Sequence, residues 1–177
     1  MHERITGPLG MTSTALPLPR DLLDRAVQGY GPEGQPIGKP GMEGGTFEWA
    51  GSGQIYSSAR DMATFLAANM GELPDHGPME NAMALAQQPV FTVNPHFKIA
   101  LAWQDVTSGE FTILDKNGGL PNTSTYIGFA PQSKLGVIIL VNRGKQHATG
   151  IGRQILHALA QDQSQPSTEG EPEPDGH

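Results

Sequence analysis

Phe111-Thr112-Ile113-Leu114-Asp115-Lys116-Asn117-Gly118-Gly119 is the stretch whose reading decides the fold. Its first half is apolar enough to form a strand, and two more strand-like runs follow, Thr125 to Ala130 and Gly136 to Val141. Pro131-Gln132-Ser133-Lys134 between them has turn chemistry, so these two pair as an antiparallel hairpin. Val137-Ile138-Ile139-Leu140-Val141 is apolar without alternation, which predicts a strand buried on both faces. A helix over about Thr149 to Ala160 then presents Ile151, Ile155, Leu156 and Leu159 to the sheet. Upstream, Ile99 to Trp103 and Glu110 to Leu114 also read as strands, with Lys116 on a strand of its own. The fold class is α+β: an antiparallel sheet of about three C-terminal strands with a closing helix, preceded by helical and irregular segments.

Working outward, Ser57 or Ser58 caps a helix that runs to about Met70, with Met62, Phe65, Leu66 and Met70 on one face and Gly71 as its stop. A second helix spans about Pro78 to Gln88, its apolar side formed by Met79, Ala82, Met83 and Ala86, with Pro89 ending it. The methionine stripe reads as core packing. Residues Thr12 to Gly45 are rich in Pro and Gly and describe a surface excursion with a short helical piece near Asp21 to Ala26. Met1 to Ile5 reads as the last turn of a helix, because Gly7-Pro8 stops it at once.

The composition of the 177 residues, 37% hydrophobic and 16% charged, suits one globular domain. We place it at residues 1–160, followed by a tail at 161–177 with five acidic residues and three prolines, too polar to bury apolar area and expected to be disordered. A formal charge of −7 argues against nucleic acid or an anionic membrane as partner. With no cysteine there is no disulfide and no thiolate nucleophile. No run approaches a membrane span, and the N-terminus carries no apolar signal core, so as written the chain is expected in the cytoplasm. The six histidines show no metal-ligand spacing, and Gly41 to Gly45 lacks the context of a phosphate loop, so neither a metal nor a cofactor is expected. His147 and His157 read as surface residues around the final helix, with His157 alternatively facing the sheet.

A cation on a strand beside a partly dry cleft favours a nearby anion or a deprotonated base, which makes Lys116 the candidate functional residue. Gly118 and Gly119 let a substrate backbone lie against the strand and leave an edge N–H free to donate. Three ordered motifs then resemble one family. Glu3 to Thr14, containing Pro8-Leu9-Gly10-Met11, Ser52 to Met62, and the strands from Asp115 to Arg143 are similar in order to the C-terminal half of class C β-lactamases and AmpH-type D-alanyl-D-alanine carboxypeptidases. The resemblance covers about residues 3–160. It implies serine hydrolysis of D-Ala-D-Ala peptides or β-lactams, with Lys116 as the Lys of the Lys-Thr-Gly motif and the Gly119 backbone N–H as one of two oxyanion donors. Asn117 stands where the motif more often has Thr, and with Gly118 it is assigned to substrate binding.

The same family's Ser-x-x-Lys and Tyr-x-Asn elements are not matched. Ser57 is followed three positions later by Arg60 and Ser58 by Asp61, while Tyr30, Tyr56 and Tyr126 are followed two positions later by Pro32, Ser58 and Gly128. Acyl transfer needs nucleophile, base and oxyanion hole held together, so the chain alone is expected to be inactive. In relatives the Val137 to Val141 strand pairs on both sides, which predicts an unpaired apolar edge here. Three readings stand open: an inert piece awaiting a complementing N-terminal chain, a non-catalytic module binding peptidoglycan or β-lactam, and an interaction protein that uses its sheet edge, including for self-association.

Overall fold

The computed structural model describes residues 1–39, 52–73 and 77–164. In chain order these form β1 (Gly29–Tyr30), β2 (Pro36–Gly38), α1 (Ala59–Asn69), α2 (Pro78–Ala86), β3 (Phe91–Asn94), β4 (Phe97–Ile99), β5 (Gln104–Ser108), β6 (Phe111–Leu120), β7 (Thr123–Ala130), β8 (Leu135–Val141) and α3 (Ala148–Ser164). Both central helices begin where their caps demand. Ser58 takes the cap position of α1 and its hydroxyl accepts the Asp61 N–H at 3.1 Å, while Gly71 follows the helix at φ +70°. Pro78 opens α2 at a position where its missing N–H costs nothing.

The principal sheet has six antiparallel strands in the order β3-β4-β5-β6-β7-β8, more than the three expected at the C-terminal end. Two physical reasons account for the difference. The apolar run Ile99 to Trp103 is a tight reversal, with Ala102 at φ +67° and the Ala100 N–H donating to the Trp103 carbonyl at 2.9 Å, so β4 and β5 are separate strands around it. Glu110 to Leu114 and the Lys116 segment, conversely, are one continuous strand, β6.

Alternation along β6 and β7 divides the interior into two layers. Leu114 and Phe129 face α1, joining Leu66, Ala100 and Trp103, and the Trp103 ring stands edge-on to Phe129 at 5.2 Å. Ile113 and Tyr126 face α3 with Ala148 and Leu156. A third cluster of Leu9, Met11 and Ala68 fastens the N-terminal segment to α1, and Met79 and Met83 of α2 pack against it. Before it, the single wide helical turn His2–Thr6 closes with the Gly7 N–H donating to the His2 carbonyl at 2.8 Å.

Two expectations about buried faces are corrected. On α3 only Leu156 of the four named residues is buried; Ile151, Ile155 and Leu159 are 50%, 39% and 43% exposed. The inner row is instead Ala148, Gly152, Leu156 and Ala160, because the Tyr126 ring fills the space over Gly152 and leaves no room for a larger residue. Strand β8 is not buried on both faces: it ends the sheet, and Leu140 is 48% exposed. Among the described residues no strand pairs with its outer edge; beyond the strand's end Tyr30 makes a parallel bridge to Arg143, and the Gln28 and Pro32 carbonyls accept from the Asn142 and Arg143 side chains.

In the Pro- and Gly-rich excursion a short helical turn covers Arg20–Arg25, and β1 and β2 pair as a small hairpin that was not expected. Its part from 40 to 45 lies outside the described residues. Helix α3 runs four residues past the expected end at Ala160, to Ser164, and the remainder of the acidic tail, 165–177, also lies outside them. No described helix is long and apolar enough to cross a membrane.

Candidate active-site wall

The sequence segment singled out first becomes an open strand edge. Pairing between β5 and β6 runs from Ser108↔Phe111 to Gln104↔Asp115 and stops there, while β6 and β7 stay paired on to Leu120↔Thr123. From Lys116 to Leu120, therefore, β6 has a strand neighbour on the β7 side only, among the described residues. Lys116, Asn117, Gly118 and Gly119 are all exposed. Lys116 leaves the α1 face of the strand and Asn117 the α3 face, so the one surface both side chains border is this open edge. The glycine at 118 is a close fit: a methyl group there would stand 2.7 Å from the Thr125 hydroxyl oxygen. At Gly119 the nearest atom to such a group among the described residues is the Thr123 carbonyl oxygen at 3.8 Å.

On the α1 face Lys116 borders a cleft of about 930 Å³. Its walls are Ile5 and Pro8 from the N-terminal segment, Met62 and Phe65 from α1, Met79 and Met83 from α2, and Trp103 and Ile127 from the sheet. The methionine stripe expected to be pure core is thus shared between packing and cleft wall. Among the described residues of the lining, Lys116 and Arg4 are the cationic groups and there is no carboxylate. An anion with an apolar body is the ligand such a surface favours.

On the opposite face, directly behind Lys116, lies a buried ionic clamp that sequence reading missed. Asp115 is completely buried and accepts two hydrogen bonds from the Arg153 guanidinium, 2.6 Å from Nε and 3.0 Å from Nη2. Arg153 Nη2 also donates to Gln104 Oε1 at 3.0 Å, which ties α3, β5 and β6 together at the last rung of the β5–β6 ladder. The hydrogen bond to Asp115 raises the Arg153 ionisation above its ordinary value, so the guanidinium is always charged. Tyr126 lies in the same layer with its hydroxyl buried beside Asp115 but outside hydrogen-bond geometry. Burial, and then the charge of Asp115, push its ionisation far above that of an ordinary phenol, and it faces away from the cleft. It cannot serve there as a general base. The signal for the clamp was present in the sequence as an Asp inside an apolar strand and an Arg inside an apolar helix stripe.

Other polar residues are fully occupied in holding segments together. The buried Asp61 carboxylate accepts the Ser13 N–H at 2.8 Å and the Thr14 hydroxyl at 2.7 Å, which docks the segment after Pro8-Leu9-Gly10-Met11 onto the start of α1. Ser57, whose hydroxyl lies 2.8 Å from Thr14 Oγ1, belongs to the same network. His157 does face the sheet, with its ring nitrogen 3.1 Å from Ser108 Oγ, while His147 is exposed. Among the described residues no group of three His, Asp or Glu could hold a metal ion.

Comparison with known proteins agrees with this geometry. The family model described as Beta-lactamase matches residues 1–162. A human protein named beta-lactamase-like 1 is 26% identical over 147 residues, which are 80% of this chain and 28% of that protein. Among solved structures, a class C beta-lactamase superposes with a TM-score of 0.76 at 18% identity, over 96% of this chain and 51% of that one. A beta-lactamase/D-alanine carboxypeptidase from Pseudomonas syringae gives 0.75 at 22% identity, over 94% and 53%. The chain therefore spans about half the length of these solved relatives.

Proposed function

Because the chain belongs to the beta-lactamase family, we propose that its residues form the lysine-bearing half of a serine-hydrolase cleft. Lys116 is the cation that receives an anionic substrate, and the open edge of β6 at Gly119 supplies one oxyanion donor. Asn117 and Gly118 border the bound substrate. The observation that carries this reading is the loss of the β5 partner beyond Asp115, which frees the Lys116–Leu120 edge beside an apolar, cation-bearing cleft. The substrate class is an acyl compound with a carboxylate, a β-lactam or a peptide ending in D-Ala-D-Ala.

The nucleophile and its base come from a polypeptide segment outside these 177 residues, continuous with the chain or separate from it. No Ser-x-x-Lys or Tyr-x-Asn occurs here, and the tyrosine nearest Lys116 across the β6–β7 ladder faces the other layer. Two surfaces support a complementing segment: the apolar cleft, and the β8 edge, unpaired among the described residues and flanked by Leu140 and the exposed row Ile151, Ile155 and Leu159. A free edge of that kind also favours self-association when no such segment is bound.

The wall reading is tested by following the backbone amide signals of residues 116–119 by NMR while benzylpenicillin is added. Saturable shifts that disappear in Lys116→Ala are expected. Shifts that survive the substitution, or no shifts at any accessible concentration, would remove Lys116 from the site.

A further inference from the structure

We infer that Arg153 is a positioning residue for Lys116: it neutralises Asp115 from behind the strand and pins β6 at the point where the open edge begins. The inference rests on the reading of Lys116 as the cleft's anion-receiving cation. Asp115 and Lys116 are consecutive on β6 and project from opposite faces, the first fully buried and the second exposed. Without Arg153 the carboxylate would be a desolvated, uncompensated anion immediately behind the ammonium group, competing with any anion in the cleft for its charge. With Arg153 bound through two donors, the pair is neutral as a unit and Lys116's charge is available to the cleft.

The clamp's placement matches this role. Arg153 reaches across β5 to Gln104, the residue paired with Asp115, so its fork closes over the last rung of the β5–β6 ladder before the strands part. Among the described residues, the groups facing Asp115 are Arg153 from α3, Gln104 from β5 and Tyr126 from β7, and the other charged group on the Lys116 side is Arg4. A clamp serving packing alone could sit at any rung. This one sits where the strand stops being structural and becomes the candidate site.

The test uses the reactivity of the Lys116 amine, which needs no acyl transfer by the protein. The 177-residue chain is treated with trinitrobenzenesulfonate, an anionic amine reagent, at about pH 9.5, where lysine amines react. Modification of the Lys116 peptide is followed by mass spectrometry, with exposed Lys145 as internal reference. In Arg153→Met the uncompensated carboxylate holds the amine protonated and repels the reagent, and the rate falls about threefold. In Asp115→Asn the lone guanidinium does the opposite, and the rate rises about threefold. The double variant returns to near the wild-type rate.

A change of the same sign in both single variants, or a double variant that does not recover, would mean that the pair acts through packing alone and would overturn the inference. If Arg153→Met fails to fold, the isosteric Asp115→Asn decides by itself, and an unchanged rate refutes. Success here with no penicillin-induced shift at Lys116 would leave the clamp in place and overturn only the proposed function.

Discussion

Gly152→Ala should destabilise the protein although it replaces glycine by the best helix former inside a helix. Propensity alone favours the change by about 1 kcal/mol. The added methyl group, however, would stand 2.8 Å from Cζ of Tyr126 and still closer to Cδ1 and Cε1 of the same ring. Tyr126 is 1% exposed and held between α3 and the sheet, so the ring has nowhere to go. Helix α3 would have to retreat by about 1 Å to restore ordinary carbon–carbon contact, loosening Leu156 and the Arg153–Asp115 clamp as it does so. Overpacking of this kind costs roughly 3 kcal/mol against the propensity gain, a net loss of about 2 kcal/mol. On the same helix Gly150→Ala meets nothing within 4 Å and should gain about 0.5 kcal/mol. Urea unfolding of both variants, followed by circular dichroism, checks the pair. If Gly152→Ala is as stable as Gly150→Ala, the packing of α3 on Tyr126 described above is wrong.

Ser58→Ala removes the acceptor for the Asp61 N–H and should cost about 1 kcal/mol, read in the same unfolding assay, whereas Ser57→Ala leaves the cap intact. Tyr126→Phe deletes a buried hydroxyl that lies beside Asp115 outside hydrogen-bond geometry, so at pH 7 stability should change by no more than about 1 kcal/mol. Its effect at high pH has a definite sign. Because the folded-state ionisation of Tyr126 is raised, wild-type stability is intact below about pH 10 and declines above it, where the unfolded phenol ionises and the folded one stays neutral. Alkaline titration of the unfolding free energy should show a shallower decline in Tyr126→Phe. The free β8 edge predicts elution in sizing chromatography above the 18.8 kDa of one chain, with Leu140→Lys shifting the profile toward the monomer; a monomeric wild type would contradict the edge's role.

Much of this fold was legible because local signals and burial agree. Ser58, Gly71 and Pro78 set the helix ends by backbone chemistry that needs no tertiary context, and the turn at Pro131–Ser133 sets the β7–β8 hairpin. Where sequence reading failed, the deciding residue lay far along the chain. The inner face of α3 is chosen by the bulk of Tyr126 and the carboxylate at Asp115, neither visible in the helix's own periodicity. Strands β3 to β5 are short, and Ala102, which reverses the chain at φ +67°, carries no turn signature in its residue type. Lys116 was legible as a strand cation next to glycines. Its open edge was anticipated from the glycines, but the place where it begins depends on where β5 stops, and its neutral backing depends on Arg153.

The central claim is that these 177 residues hold the receiving wall of the cleft and not its nucleophile. Intact-mass measurement after incubation with a fluorescent penicillin tests it most directly. The account predicts that the mass of the purified chain stays unchanged, and that labelling appears only when a polypeptide carrying Ser-x-x-Lys and Tyr-x-Asn is supplied. A stable penicilloyl adduct on a serine of this chain alone would contradict it.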